Sequence, residues 1–264
     1  MKRQKKSSAS PHVTHDGSPT NSDEPLFFYM PDTTHGEFCQ WFPSTFTIGK
    51  AQISSLIGHT IDDNDAESSI TFTCAEQFMM YCKAGRFHDT ETQKQVLATT
   101  SPKEQKRLGK LTAGFTDASW DEVKSVVVLA GTMAKFGQNR HLKGKLLATG
   151  DRLLVEAASR DRVWGIGYTA KHAMSFRQHW GENRLGKALM EARELLRQED
   201  AERDGHFEKD YQMNVLCTDS QDRPQSLVSG SAGNEHQVDD SYPSSIYSPS
   251  AKTYLLVIID FHMD

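Results

Sequence analysis

From residue 73 to residue 185 the chain repeatedly signals the start of a helix, and the strand signals between are short. Thr73-Cys74-Ala75-Glu76 fits a capping box, in which a Ser or Thr and the Glu or Gln three residues on satisfy each other's backbone amides. It predicts a helix through about Ala84, stopped by Gly85. Ser101-Pro102-Lys103-Glu104 is a second box, with Pro at the first helical position. Ser119-Trp120-Asp121-Glu122 is a third, and places Val123, Val126, Val127 and Ala130 on one buried face. Asn139 is positioned to cap a short helix with Leu142, Leu146 and Leu147, closed by Gly150. The strongest period runs over 185–197, where Leu185, Ala188, Leu189, Ala192, Leu195 and Leu196 share a side. Strand candidates are 26–29, 38–42, 70–73 and 152–156. Without βαβ alternation a doubly wound sheet is not expected. The pattern predicts an α+β, predominantly helical, single compact domain with small β elements.

Composition locates that domain. Of 264 residues only 37% are hydrophobic, and mean hydropathy is −0.60, so the core is diluted by polar ends. Residues 1–24 read as a disordered basic and Ser-rich tail, and 199–264 as a polar, mostly disordered tail, leaving 25–198 as the domain. Lys2, Arg3, Lys5 and Lys6 suit a solvated tail or a nuclear signal. The apolar run Tyr254 to Ile259 suits an edge strand or an aggregation-prone end. The stretch 53–69, with Asp62, Asp63, Asp65 and Glu67, reads as a polar surface insertion. The 30 basic and 35 acidic side chains give a net charge of −5, which excludes a strongly basic nucleic-acid protein but not a local basic groove. Cys39, Cys74, Cys82 and Cys217 lie too far apart for a disulfide scaffold or a CxxC metal site. No run approaches the ~20 apolar residues of a membrane span, and no secretory h-region is present. A cytoplasmic setting is expected, with a nuclear one as the alternative.

Four places carry residues suited to chemistry. Glu76 and Lys83 are seven apart on one predicted helix, so they share a face about 10 Å apart along the axis. An acid and an amine at the margin of an apolar stripe suit the wall of a cleft; a capping Glu and a solvated Lys are the plainer reading. Asp161-Arg162-Val163-Trp164-Gly165-Ile166-Gly167 joins a ring that can stack, a carboxylate that can orient a hydroxyl, and glycines that permit close approach; a turn with a core Trp is the alternative. Glu182-Asn183-Arg184 precedes the strongest helix, where Asn183 is either the N-cap or, with Arg184, part of a phosphate site. In Gly36-Glu37-Phe38-Cys39-Gln40-Trp41-Phe42 the aromatics around one amide suit a strand edge that binds a base, or plain core packing. His172 and His179 have no metal-ligand spacing and read as solvated or structural.

Taken in order, these segments resemble the YbiA-like, or NADAR (NAD and ADP-ribose), family over roughly 26–198. The carriers are Gly36 to Trp41, Cys74-Ala75-Glu76-Gln77-Phe78 with Lys83, and Ala118-Ser119-Trp120. Leu146 to Gly150, Leu154-Val155-Glu156-Ala157 with Asp161 and Trp164-Gly165, and Asn183 to Met190 complete the set. Chain departures are Ile166, where some relatives carry an acid, Cys39, where Ser is common, and longer loops near 49–70 and 168–181.

The resemblance implies a mostly helical fold and cleavage of a ribose C1′–nitrogen bond. It implies Glu76, Lys83 and Asp161 as catalytic residues. Phe38, Gln40, Trp41, Trp120, Trp164, Gly165, Asn183 and Arg184 follow as substrate-binding residues. No cofactor and no metal are expected. Expected substrates are ADP-ribose on guanine, free or in nucleic acid, or phosphoribosyl-pyrimidine intermediates of riboflavin synthesis. The different-class alternative is a module that binds ADP-ribose or NAD without cutting it. For catalysis, Glu76 would stabilise charge and move protons, and a neutral Lys83 would form a Schiff base with the opened ribose. In the competing version water attacks and Lys83 only binds.

Overall fold

The computed structural model describes residues 24–61 and 67–219, with side chains to residue 204. Two small sheets brace a set of helices. Strands β1 (Leu26–Phe28) and β4 (Leu154–Glu156) pair in parallel, with Leu26 opposite Leu154. Strands β2 (Phe46–Gly49) and β3 (Ser69–Phe72) pair antiparallel, with Phe46 opposite Phe72. The helices are α1 (Lys50–Ile57), α2 (Ala75–Arg86), α3 (Thr90–Ala98), α4 (Pro102–Gly109), α5 (Asp117–Gly137), α6 (Arg140–Leu147), α7 (Ala170–Ala173) and α8 (Arg184–Asp219). Short 3₁₀ turns occupy Gly36–Phe38 and Met174–His179. The helix-dominated α+β expectation holds.

Helix α2 lies at the centre, packed on α3, α4 and α5. Burial all round it explains its near-continuous apolar surface from Phe78 to Cys82. Phe78 meets Phe72 edge-on at 5.2 Å, Phe46 meets Phe78 at 6.2 Å, and Phe72 meets Tyr81 at 5.6 Å. This aromatic cluster welds the β2–β3 sheet onto α2. The stripe Leu185, Ala188, Leu189, Ala192 and Leu196 of α8 is buried as its period predicts, against α5.

Several local expectations are corrected. Residues 38–42 form no strand: the 3₁₀ turn and the Cys39 N–H to Gly36 O bond coil them, because Gly36 sits where a Cβ would meet Pro31 O. Strand β2 was not anticipated; its Phe46 and Ile48 alternate inward too briefly to stand out. The expected insertion at 53–69 begins inside α1, while 62–66, with Asp62, Asp63 and Asp65, lie outside the described residues. Gly85 does not end α2; it lies within the helix where Gln93 of α3 packs close. The third capping box shifts: Thr116 accepts the Ser119 N–H, so α5 starts before Ser119. The Ser101 cap stands, accepting the Glu104 N–H at 3.4 Å.

Helix α8 runs on to Asp219, past the expected tail boundary at 198. From Arg197 to Asp204 it continues through mostly charged residues that form helix well. Asp200 pairs with Lys143 at 2.6 Å and with Arg203 one turn on. An apolar-period test does not register such a helix. Residues 1–23 and 220–264, including the Lys2–Lys6 cluster and the 254–259 run, lie outside the described residues.

Candidate active site

Thr73 does not pair with Glu76. Its N–H and hydroxyl both go to Gln77 Oε1, at 2.8 and 3.0 Å. Gln77 Nε2 in turn donates to Val96 O and Thr99 O, each at 3.0 Å, which locks the start of α2 to the end of α3. Gln77 thus does the reaching back, and the capping reading of Glu76 is corrected. Glu76 is 5% exposed, and its backbone N–H donates to Gln40 O at 3.2 Å. Burial drives its carboxyl up to about 7. Lys106 and the indole N–H of Trp41 oppose that rise, and the charge of Asp161 adds to it.

A second carboxyl shares this neighbourhood. Glu156 ends β4, and burial pushes it up to about 8, assisted by the charges of Asp161 and Glu76 and opposed by Lys106. Its side chain is only partly enclosed, but Oε2 is shut from solvent and finds no hydrogen-bond partner among the described residues. Asp161 spends Oδ1 on its own turn, accepting the N–H groups of Val163 and Trp164 at 2.9 and 2.8 Å. Three acids from three places in the chain therefore share one neighbourhood, with a single exposed cation, Lys106 of α4, acting on both glutamates. Sequence reasoning passed over Glu156 and Lys106. The one signal for Glu156 was an acid ending a strand that is otherwise apolar.

Trp41 is carried by the 3₁₀ turn, and the turn hangs on a buried amine. Lys135 of α5, 1% exposed, donates to Glu37 O at 2.7 Å and Cys39 O at 2.8 Å. Burial lowers its pKa to about 8, with the Cys39, Cys74 and Glu37 side chains opposing that fall. Gln40 is buried, and its carbonyl meets Glu76. Phe38 is corrected: it lies in the main core, 5.9 Å from the Phe28 ring and 6.1 Å from that of Phe136, out of reach of a base.

Lys83 lies two turns along α2 from Glu76 and meets other charges. Its Nζ lies over the Phe115 ring at 3.9 Å. Its pKa is lowered by burial, raised by Asp117 and lowered by Lys110. Lys110, just past the end of α4, follows Lys106 by four residues, so the charge of Lys106 reaches Glu76 and that of Lys110 reaches Lys83 along the same α2 row. Glu76, Asp161 and Trp41 come together; Lys83 stands at the other end of that row.

Asn183 does not cap α8. It adopts φ 52°, Nδ2 donates to Leu154 O at 2.9 Å, and Oδ1 accepts the Glu156 N–H at 3.0 Å. Its amide is consumed in holding β4, so it acts as a fastener for Glu156. Arg184 pairs with Glu182 at 2.7 Å and reaches Ser125. Trp120 lies in the main core and Trp164 packs partly buried against it. Gly165 is needed for closeness: a Cβ there would stand 2.8 Å from Glu156 O and 2.9 Å from Ala158 Cβ. A concavity of about 380 Å³ lined by Ile57, Tyr81, His88, Gln93 and Leu97 contains none of the three acids.

A cluster of acids, two of them holding protons near neutrality, beside a half-buried indole can take up and release protons next to a flat ring and a sugar. The chain is similar to several known proteins. An N-glycosidase of Acanthamoeba polyphaga mimivirus is 35% identical over 159 residues, covering 60% of this chain and 85% of that protein. The N-glycosidase YbiA of Escherichia coli (strain K12) is 34% identical over 116 residues, 44% of this chain and 67% of that protein. A riboflavin biosynthesis protein of Vibrio vulnificus (strain YJ016) is 27% identical over 176 residues, 67% of this chain and 40% of that longer protein. The NMR structure of E. coli YbiA superposes with a TM-score of 0.51 at 27% identity, over 68% of this chain and 89% of that one. The NADAR domain model matches residues 27–197, which contain the whole acid cluster, Trp41 and Lys83, and the chain belongs to the NADAR family.

Proposed function

We propose that this protein is an N-glycosidase that cuts a ribose C1′–nitrogen bond, and that its substrate is ADP-ribose joined to a guanine base. The observation that carries the reading is the pairing of Glu76 with Glu156 and Asp161 beside Trp41. Its family and its N-glycosidase relatives support the hydrolysis, and the guanine-linked ADP-ribose is our own extension.

Breaking the bond builds positive charge on the ribose ring, as in glycoside cleavage generally. An ionised Glu76, set in a site where burial strengthens its field, stabilises that charge and takes the proton of the attacking group. Trp41 beside Glu76, and Trp164 on the turn held by Asp161, are both half-buried and offer flat faces for a ring. Asp161 holds the Trp164 turn and adds negative charge. Burial lowers the pKa of Lys83, and its free amine attacks C1′ as the C1′–nitrogen bond breaks and the electron pair leaves with the base. The C1′–O4′ bond then opens, with an amine proton passing to O4′, to give the Schiff base, to which water adds, expelling the lysine.

The test is one panel. Wild type, Glu76→Gln and Lys83→Ala are assayed for base release on ADP-ribosyl-guanosine, NAD and a phosphoribosyl-pyrimidine. Release of guanosine from the first, lost in Glu76→Gln, is the expected result. A thermal shift with ADP-ribose but no release from any substrate marks a binding module instead. Borohydride should trap substrate on a peptide containing Lys83; full activity of Lys83→Ala overturns the covalent step. A second reading, hydrolysis of riboflavin intermediates, is favoured by the Vibrio relative's name and wins if only the pyrimidine is cut.

A further inference from the structure

We propose that Glu156 is the acid that hands its proton to the departing base, leaving Glu76 to act as the ionised partner. Glu156 is fastened from three sides by groups that carry no charge. Asn183 Oδ1 accepts its N–H at 3.0 Å, Ile166 N–H donates to its carbonyl at 3.0 Å, and the missing Cβ of Gly165 lets that loop close over the same carbonyl. The backbone of the strand end is thus fixed, and the carboxyl Oε2 stays enclosed without a hydrogen-bond partner among the described residues. A buried polar atom without a partner is costly, and a protonated carboxyl lowers the cost while keeping a hydrogen to give.

The charges facing Glu156 come from every side of the cluster. They are Asp161 on the following turn, Lys106 on α4, Glu76 on α2, and the Cys39 thiol on the 3₁₀ turn, itself neutral because burial pushes it up to about 11. The charges of Asp161 and Glu76 both raise Glu156, so these carboxyls do not ionise independently of one another. The Trp41 indole faces Glu76 and supports its ionised form, and among the described residues no side chain donates a hydrogen bond to the unpartnered Glu156 Oε2. The proton therefore rests on Glu156.

The step balances without a further reactant. The C1′–N bond breaks and its electron pair stays with the base nitrogen, which takes the Glu156 proton. The attacking group bonds to C1′ and gives a proton to Glu76. Exchange between the two carboxyls, or with water, restores the start. This assignment rests on the N-glycosidase reading above.

The discriminating experiment varies the leaving group. ADP-ribosyl-guanosine needs a proton to release its base, whereas 4-nitrophenyl ADP-ribose leaves as a stable anion. Glu156→Gln should lower kcat/KM on the first by ~10²-fold or more, the usual contribution of proton transfer, and on the second by less than about 5-fold. Glu76→Gln should lower both. Equal losses in Glu156→Gln on the two substrates, or no loss on either, overturn the assignment. Failure of wild type to cut either compound removes the glycosidase reading instead. Should Glu156→Gln not fold, the wild-type pH profiles decide: a fall in kcat/KM at alkaline pH is expected with the guanosine substrate and not with the nitrophenyl one. The same fall with both overturns the proposal.

Discussion

The side-chain oxygen of Asn183 accepts the backbone N–H of Glu156 at 3.0 Å, across 27 residues of chain. Its amide nitrogen binds Leu154 O at 2.9 Å, so one side chain closes both open valences at the end of β4. The residue just before helix α8 is therefore spent on positioning an acid, and the approach to the helix and the acid cluster are one construction. Asn183→Ala should cost about 2–4 kcal/mol, since two buried backbone groups lose partners. Denaturant unfolding measures the loss. A cost below about 0.5 kcal/mol would mean that the two bonds contribute little.

The two raised glutamates make stability depend on pH. Each has an unperturbed value of 4.5 and is raised in the folded chain, Glu76 to about 7 and Glu156 to about 8. Between these limits the folded state binds more protons than the unfolded one. Their contribution is full below pH 4.5 and is lost as pH rises through 7 and 8. The slope is at most about 1.4 kcal/mol per pH unit for each proton difference. Melting temperatures of wild type should thus fall from pH 5 to 8 relative to Glu76→Gln/Glu156→Gln. Parallel curves for the two proteins would contradict the raised values.

Trp41 steadies the ionised form of Glu76 through its indole N–H. Trp41→Phe keeps the ring and removes that donor. The acid limb of kcat/KM, which reports ionisation of Glu76, should move up by about one pH unit. Lys106→Ala should move it in the same direction. An unmoved limb in both variants assigns that limb to another group.

Lys83 is tuned by two exposed neighbours of opposite sign. Asp117→Asn should lower its pKa, and Lys110→Ala should raise it, because the first favours the ammonium and the second opposes it. The pH dependence of amine modification at Lys83, followed by peptide mass spectrometry, reads both shifts. Equal profiles in the two variants would show that these charges do not reach it.

Glycines in α6 and α8 should respond oppositely to alanine. A Cβ at Gly186 would collide with Leu154 O and the Asn183 amide, where α8 presses on β4. Gly186→Ala should cost at least about 2 kcal/mol. Gly144 lies inside α6 with open space around it, so Gly144→Ala should gain about 0.5–1 kcal/mol. Thermal unfolding of the two variants checks the contrast.

Local order in the sequence was enough for much of this molecule. The Ser101 cap with Pro102 and the apolar period of α8 are set by residues a few positions apart, and the structure keeps them. Glu76, Trp41 and Asp161 were legible as candidates through their motifs, and they do meet. Tertiary packing decided the rest. Phe38 looked like a base-stacking residue until Gly36 coiled the chain and drew its ring into the core. Asn183 looked like a helix cap until β4 claimed its amide. Glu156 carried only a faint local mark, an acid at the end of an apolar strand. Its character comes from burial beside Glu76, 80 residues earlier, and Asp161, five residues later. A neighbouring sequence cannot encode desolvation or a distant charge, because both depend on which parts of the chain finally surround the carboxyl.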